Sequence, residues 1–476
     1  MRVLIVLPPA TLRGHRVTPT HHPIVAAYLA AAAEKAGAEV DVVDAALDGL
    51  SPAEVARRAA SARADVVALV PFEYRRELPL ETSLAVAAEV RRLHPAARIG
   101  LLNGTELEQV AAVRSAVEDG AVDFAAVGDS EGSFAELLEG QGDGPAPSGV
   151  VLRNGRGEVD DGGAREADDL DRFAFPAWHY FDHRRYLVTP HRYKRLPLLP
   201  VMASRACPYQ CDFCPQAMFN TKQTHRVRSP DSVVAEIVTL HERYGARHVE
   251  FYDASFGTKR ELAAGTCEKL IDAGRPVHWS CITRADLLDE ELLPLMAESG
   301  CTTILLGVES GDQAVVDATG KGLRLDTVRH GVEVCRRAGI DTIVSFIIGL
   351  PGETPETIER TIRFATELEP TYAQFHTCRT YFDLPRWREA GHVESDWEIG
   401  SESFKGHAYV PSAFSSSREL KAWQRKAYRR FYLRPEYLTR LARDLGNLED
   451  LRRIGAGGAM LVRQLLTNRT SLTVGS

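Results

Sequence analysis

Positive charge is the first thing this sequence lacks: 57 Lys and Arg stand against 65 Asp and Glu, a formal net charge of −8. Nucleic acids and anionic membrane surfaces select basic faces, so neither is expected as a partner. No stretch of about 18 apolar residues occurs, which argues against a membrane-spanning helix. The opening MRVLIVLPPA has neither the length nor the small-residue cleavage site of a secretion signal, and a cytoplasmic protein is expected. Disulfide patterning is missing too. Of eight cysteines, Cys207, Cys211 and Cys214 crowd together. Cys267, Cys281, Cys301, Cys335 and Cys378 are scattered, as buried small apolar side chains would be. There is no internal repeat and no low-complexity tract.

What is present is alternation. Apolar β-branched runs at 3–7, 40–43, 66–70, 99–102 and 124–127 are separated by helical stretches, so residues 1–140 are predicted to form a doubly wound parallel α/β sheet. The Gly- and Pro-rich GQGDGPAPSG opens a linker and hairpin over 141–196, turning at Asn154 and Gly155. Strand candidates then recur at 199–204, 248–252, 278–282, 303–307, 342–348 and 373–377. Six βα units over 197–385 predict a partial parallel barrel, with chemistry at the carboxyl ends of its strands. Residues 386–476 read as a helical C-terminal region.

Directly after the first barrel strand stands SRACPYQCDFCP. Its CxxxCxxC spacing puts three thiolates in one loop. Three thiolates satisfy three irons of a four-iron cluster and leave one iron open. Zinc wants a fourth protein ligand and a ferredoxin a fourth cysteine, and neither partner lies in the right pattern.

These residues resemble the radical S-adenosylmethionine (SAM) superfamily, with Phe213 in the aromatic position usual before the third cysteine. HHPIVAAYLAAAAEKAGAEVDVVDA, FYDASF, GVESGDQAVVDATGKG, FIIGLPGETPETIERTI and RRFYLRPEYL are similar to the subfamily that carries an N-terminal cobalamin-binding domain. The resemblance implies a four-iron cluster on Cys207, Cys211 and Cys214, SAM chelated at the open iron, and an external electron donor such as flavodoxin or ferredoxin. It also implies that Tyr252 and Asp253 lie near the SAM amino group, Arg284 at its carboxylate, Glu309 and Ser310 at the ribose, and Ile348 and Gly349 against adenine. Arg suits a carboxylate, and Glu and Ser suit hydroxyls.

The chain departs from that subfamily in two places. LLNGTE puts Asn103 in a glycine position, GDSEG replaces a GEGE-like stretch, and FEYRRE at 72–77 is bulky where a corrinoid would approach backbone. These changes predict a domain that holds cobalamin poorly or not at all. After the sixth strand, HTCRTYFDLP places His376, Arg379, Tyr381 and Asp383 at the expected substrate mouth. His376, Tyr381 and Asp383 are the candidates for proton transfer on a small polar substrate. The resulting expectation is radical dehydration of an aminosugar without cobalamin, as in the radical diol dehydratase of aminoglycoside deoxygenation. Cobalamin-dependent radical C-methylation is the alternative, and an iron–sulfur electron carrier is a third.

Overall fold

The computed structural model describes residues 1–9, 11–12, 15–16, 21–73, 76–77, 80–104, 107–140, 144–214, 225–380, 385–394, 407–443, 451, 454–459 and 461–462. It divides into two compact units, one essentially Met1–Leu187 and the other from Val188 onward.

In the first unit, parallel strands β1 (Arg2–Leu7), β2 (Glu39–Asp44), β3 (Val66–Leu69), β4 (Arg98–Gly104) and β5 (Phe124–Val127) alternate with helices. Those helices include α1 (Ile24–Lys35), α2 (Pro52–Ala62), α3 (Leu80–Leu93), α4 (Leu107–Glu118) and α5 (Ser130–Glu139). Strands β6 (Val150–Arg153) and β7 (Val159–Asp161) add antiparallel to β5, giving the order β7-β6-β5-β4-β3-β1-β2. The hairpin expected within a linker is therefore part of this sheet, where it pairs an edge that would otherwise stay open. The connector after it buries apolar side chains. Leu170, Ala177, Trp178, Phe181 and Tyr186 are buried, Ala177 N donates to Ala27 O, and His179 and Tyr180 both reach Glu34. That cover explains why α1 is buried from Ile24 to Ala31 on every face, which its uniformly apolar composition requires.

The second unit is built on β8 (Leu198–Val201), β9 (His248–Phe251), β10 (His278–Thr283), β11 (Cys301–Glu309), β12 (Asp341–Ile348) and β13 (Tyr372–Thr377). They pair in parallel in sequence order, β8 to β13, the topology of a partial barrel. Helices α6 (Pro230–Tyr244), α7 (Arg260–Asp272), α8 (Leu292–Glu298), α9 (Leu325–Arg337) and α10 (Pro355–Leu368) connect the strands. Outward strand positions are packed shut: Phe251, Trp279, Ile304, Leu306, Phe346 and Phe375 have no measurable exposure. Beyond β13 the C-terminal region is not purely helical. Arg379–Thr380, His407–Pro411 and Gly391–Glu394 form a small antiparallel sheet before α11 (Ser417–Tyr432) and α12 (Pro435–Arg443). The five scattered cysteines are all buried, as their dispersal predicts.

Candidate active site

The cysteine loop starts where β8 ends. Ser204–Arg205 pairs antiparallel with Arg226–Val227, which turns the chain out of the barrel wall. Ala206 then adopts a φ of 64°, uncommon for a residue with a side chain and tolerated where surrounding structure fixes it. Cys207 follows, and Cys214 N donates to Cys211 O at 3.0 Å, closing one turn. Asp212 N donates to Thr319 O at 3.0 Å, which fastens this turn to the segment after β11.

Burial pushes the Cys207 and Cys211 thiols up, while Lys321 and Arg284 oppose the shift at both. A bound metal would deprotonate such thiols outright. Among the described residues no three His, Cys, Asp or Glu side chains converge to hold a single metal ion. Three thiolates in one loop would satisfy three irons of a four-iron cluster and leave the fourth open.

Opposite the loop stands Arg284. Its Nε and Nη2 donate to Asp286 at 2.9 and 2.8 Å, Nη2 also donates to Lys321 O at 2.9 Å, and Tyr209 lies 3.9 Å beneath the guanidinium. Its Nη1 is buried with no partner among the described residues. A buried, unsatisfied charged donor is costly, and an anionic ligand would satisfy it. This is the observation that fits the SAM carboxylate.

Glu309 ends β11 with a φ of 71°, at an irregularity in its pairing with β12. Lys321 Nζ lies 2.6 Å from Glu309 Oε1, both side chains are buried, and Nζ sits 5.7 Å from the Phe213 ring. Sequence reasoning passed over Lys321 because a lone lysine after a helix reads as a solvated charge. Glu353 was also passed over. It is buried, and its Oε2 accepts from Gly349 N at 2.6 Å and Leu350 N at 3.1 Å, while Ser310 Oγ donates to Oε1 at 3.4 Å. It ties the end of β12 to the end of β11. The only sequence signal for either residue was its place in a quoted motif.

The remaining candidates divide. Asp253 is buried, with Ser204 Oγ donating to one oxygen and Ala203 N to the other at 3.2 Å; burial raises its pKa to about 6. Ser310 is likewise engaged, with Glu353 and Thr361. Tyr252 is buried beside Asp253. Gly349 has a φ of 95°, and a Cβ there would meet Leu420 at 2.6 Å, so only glycine fits. Ile348 is fully buried, and its neighbour Ile347, paired with His376, is the partly accessible one. His376 is exposed, yet desolvation by the protein around it lowers its pKa, against a counteracting pull from Glu309. Tyr381 and Asp383 lie outside the described residues. So does any account of the side chains of 72–77 and Asn103; there the backbone forms the hairpin Phe72–Glu73 with Arg76–Glu77 and the end of β4.

Residues 201–365 match the model of the Radical SAM superfamily. An uncharacterized methyltransferase of Pyrococcus horikoshii is 25% identical over 92% of this chain and 94% of its own length. The anaerobic magnesium-protoporphyrin IX monomethyl ester cyclase of Rubrivivax gelatinosus is 29% identical over 92% of this chain and 78% of its own. Among solved structures, the radical SAM methyltransferase TsrM from Kitasatospora setae, with cobalamin and an iron–sulfur cluster bound, superposes with a TM-score of 0.67 at 16% identity, over 90% of this chain and 91% of that one. That likeness speaks for the fold alone, and it extends through both units. No helix among the described residues is long and apolar enough to cross a membrane. With the three-cysteine loop, the strand-end polar residues and the matched segment in one place, this chain is a radical SAM enzyme.

Proposed function

We propose that the chain is a cobalamin-dependent radical SAM C-methyltransferase acting on a small polar molecule. One observation carries the reading: the relationship to a methyltransferase runs through both units, over 92% of this chain, and not through the barrel alone. Radical dehydration, which the departures in the first unit suggested, draws no support from the relatives described above. What supports cobalamin is glycine at the carboxyl edge of the first sheet. β4 ends at Gly104, and Gly128, just past β5, has a φ of 81°. Small residues there let a planar macrocycle lie against main chain.

In this reading Cys207, Cys211 and Cys214 hold the four-iron cluster, and a flavodoxin or ferredoxin supplies electrons from outside. When bound, the cluster supplies an electron at low potential and cobalamin a methyl carrier. The chain's own residues bind and orient. Arg284 takes the SAM carboxylate on Nη1. Lys321 fixes one oxygen of Glu309, leaving the other for a ribose hydroxyl. Phe213 and the Ile347–Gly349 strand end enclose the adenosine. Asp253 and Glu353 brace the loops that carry these groups.

A second reading is radical ring closure or oxidation, favoured by the 29% identity to the cyclase. A single reconstitution separates them. The chain is loaded with iron, sulfide and hydroxocobalamin, then given SAM, reductant and a cell extract of its producing organism. Methyl transfer yields S-adenosylhomocysteine together with 5′-deoxyadenosine and a product one methyl heavier. 5′-Deoxyadenosine without S-adenosylhomocysteine overturns it. Cys211→Ala should lose the visible cluster absorbance, whereas Cys267→Ala should keep it.

A further inference from the structure

The segment just before β8 enters the barrel of the second unit from the end opposite the cysteine loop. Lys194 Nζ pairs with Asp341 at the first residue of β12 at 2.8 Å, and Lys194 N bonds His248 Nδ1 at 3.3 Å. Ser280 Oγ on β10 donates to Arg192 O at 3.0 Å. The Arg192 side chain then meets Glu250, an inward position of β9, and both are largely buried.

Just above this plug the inward Leu305 and Ile343 are buried, and toward the carboxyl ends of the strands the interior is open. Strand residues alternate between faces. The outward set is packed shut, whereas the inward Ile282, Gly307, Ser345, Ile347 and His376 all keep accessible surface. Central strands flanked by helices show accessible inward positions only when the interior holds a cavity. Desolvation lowers the pKa of His376, and Arg192 and Arg379 add to that against the opposing pull of Glu309.

Arg192, whose charge reaches His376 on the cavity wall, is incompletely used. Nη1 donates to Glu250, but Nε and Nη2 have no partner among the described residues. Nor are they sealed from solvent, since neither is a buried unsatisfied atom and the side chain keeps 17% of its surface. Nε and Nη2 form the side edge of the guanidinium, whose parallel N–H groups match the two oxygens of a carboxylate. Glu250 on the third nitrogen fixes the orientation of that edge.

We propose that Arg192 is a specificity-determining residue that binds a carboxylate of the substrate on its Nε–Nη2 edge, so that the small molecule taken by this barrel is a carboxylic acid. The proposal rests on reading this unit as the radical SAM barrel. It implies that a supplying reaction leaves the carboxyl group free, not esterified or amidated.

The test uses the cluster-reconstituted, SAM-loaded full chain and a matched pair of probes, 3-phenylpropionate and 3-phenylpropionamide. Affinities are read by ligand-observed NMR. The acid should bind at least about tenfold tighter than the amide, the scale of one charge-assisted bidentate contact. In Arg192→Gln the ratio should fall to about twofold or less, since a single neutral hydrogen bond discriminates weakly. Should that variant fail to fold, because it leaves Glu250 buried without its cation, the double variant Arg192→Gln, Glu250→Gln removes both charges together. Equal affinity for acid and amide in the unaltered chain, no saturable binding of the acid, or a preference that survives the variants overturns the proposal. Cluster absorbance, recorded on every sample, distinguishes failure of the radical SAM reading from failure of this one.

Discussion

Glu353 shows how much chemistry one side chain can hold in place. Burial raises its pKa to about 8, although two backbone N–H groups and Ser310 favour the charged form. In the unfolded chain the same carboxyl titrates near its ordinary value of 4.5. Between those values the folded state binds the extra proton, so stability is greatest below the unfolded pKa and declines as pH rises toward 8. The loss between pH 5 and pH 8 is on the order of 3 kcal/mol. Glu353→Gln keeps an oxygen for Gly349 and Leu350 without an ionisable group. Urea midpoints for the two proteins should diverge as pH rises, the variant becoming relatively more stable. Parallel curves would mean that Glu353 stays charged when folded. Lys321 teaches a related lesson: its spacing from Glu309 carries no periodic signal, and only the turn after the short helix Gln313–Ala318 brings the two together.

At the scale of elements, the end of the sheet needs explaining. β13 is an edge, and its outer N–H and C=O groups would invite pairing with another chain. α11 covers them with side chains. Tyr432 Oη accepts from Ala373 N at 3.1 Å and donates to Ala373 O at 2.8 Å. Tyr428 Oη accepts from Phe375 N at 3.2 Å, and Gln424 donates to Phe375 O at 2.6 Å. Gln424, Tyr428 and Tyr432 are spaced by four, one face of a helix, matching alternate residues of a strand. That spacing was visible in RRFYLRPEYL and the residues before it, but its partner strand was not. Tyr432→Phe should lower the stability of the second unit by about 1–2 kcal/mol, the cost of a lost hydrogen bond with a strand group left unsatisfied. Combining it with Tyr428→Phe should cost more and increase light scattering on standing. A double variant as stable and as soluble as the parent would show that water serves the edge equally well.

For the whole molecule, two units with separate cores should show as two melting transitions. SAM at about a hundred times its Kd contributes roughly 2.7 kcal/mol to whichever unit binds it. Calorimetry of the cluster-loaded chain should therefore find one transition raised by SAM and the other raised by hydroxocobalamin. One transition moved equally by both would indicate a single cooperative block.

The sequence by itself determined the kind of elements and their order, because apolar periodicity and glycine punctuation are local properties. It also put Cys207, Cys211 and Cys214 within one short segment, the spacing on which the cluster reading rests. Tertiary structure alone decided which side chains face the cavity and which serve the scaffold. Asp253 turns back onto Ser204, Ser310 is taken up by Glu353 and Thr361, and Ile347 rather than Ile348 faces inward. Each of these depends on strand register and on a partner dozens of residues away. Arg192 is the extreme case, a residue in a stretch read as linker. The role proposed for it appears only once Glu250 and Ser280 hold it, because a charge acquires a role from what desolvates and orients it, and those neighbours come from separate strands.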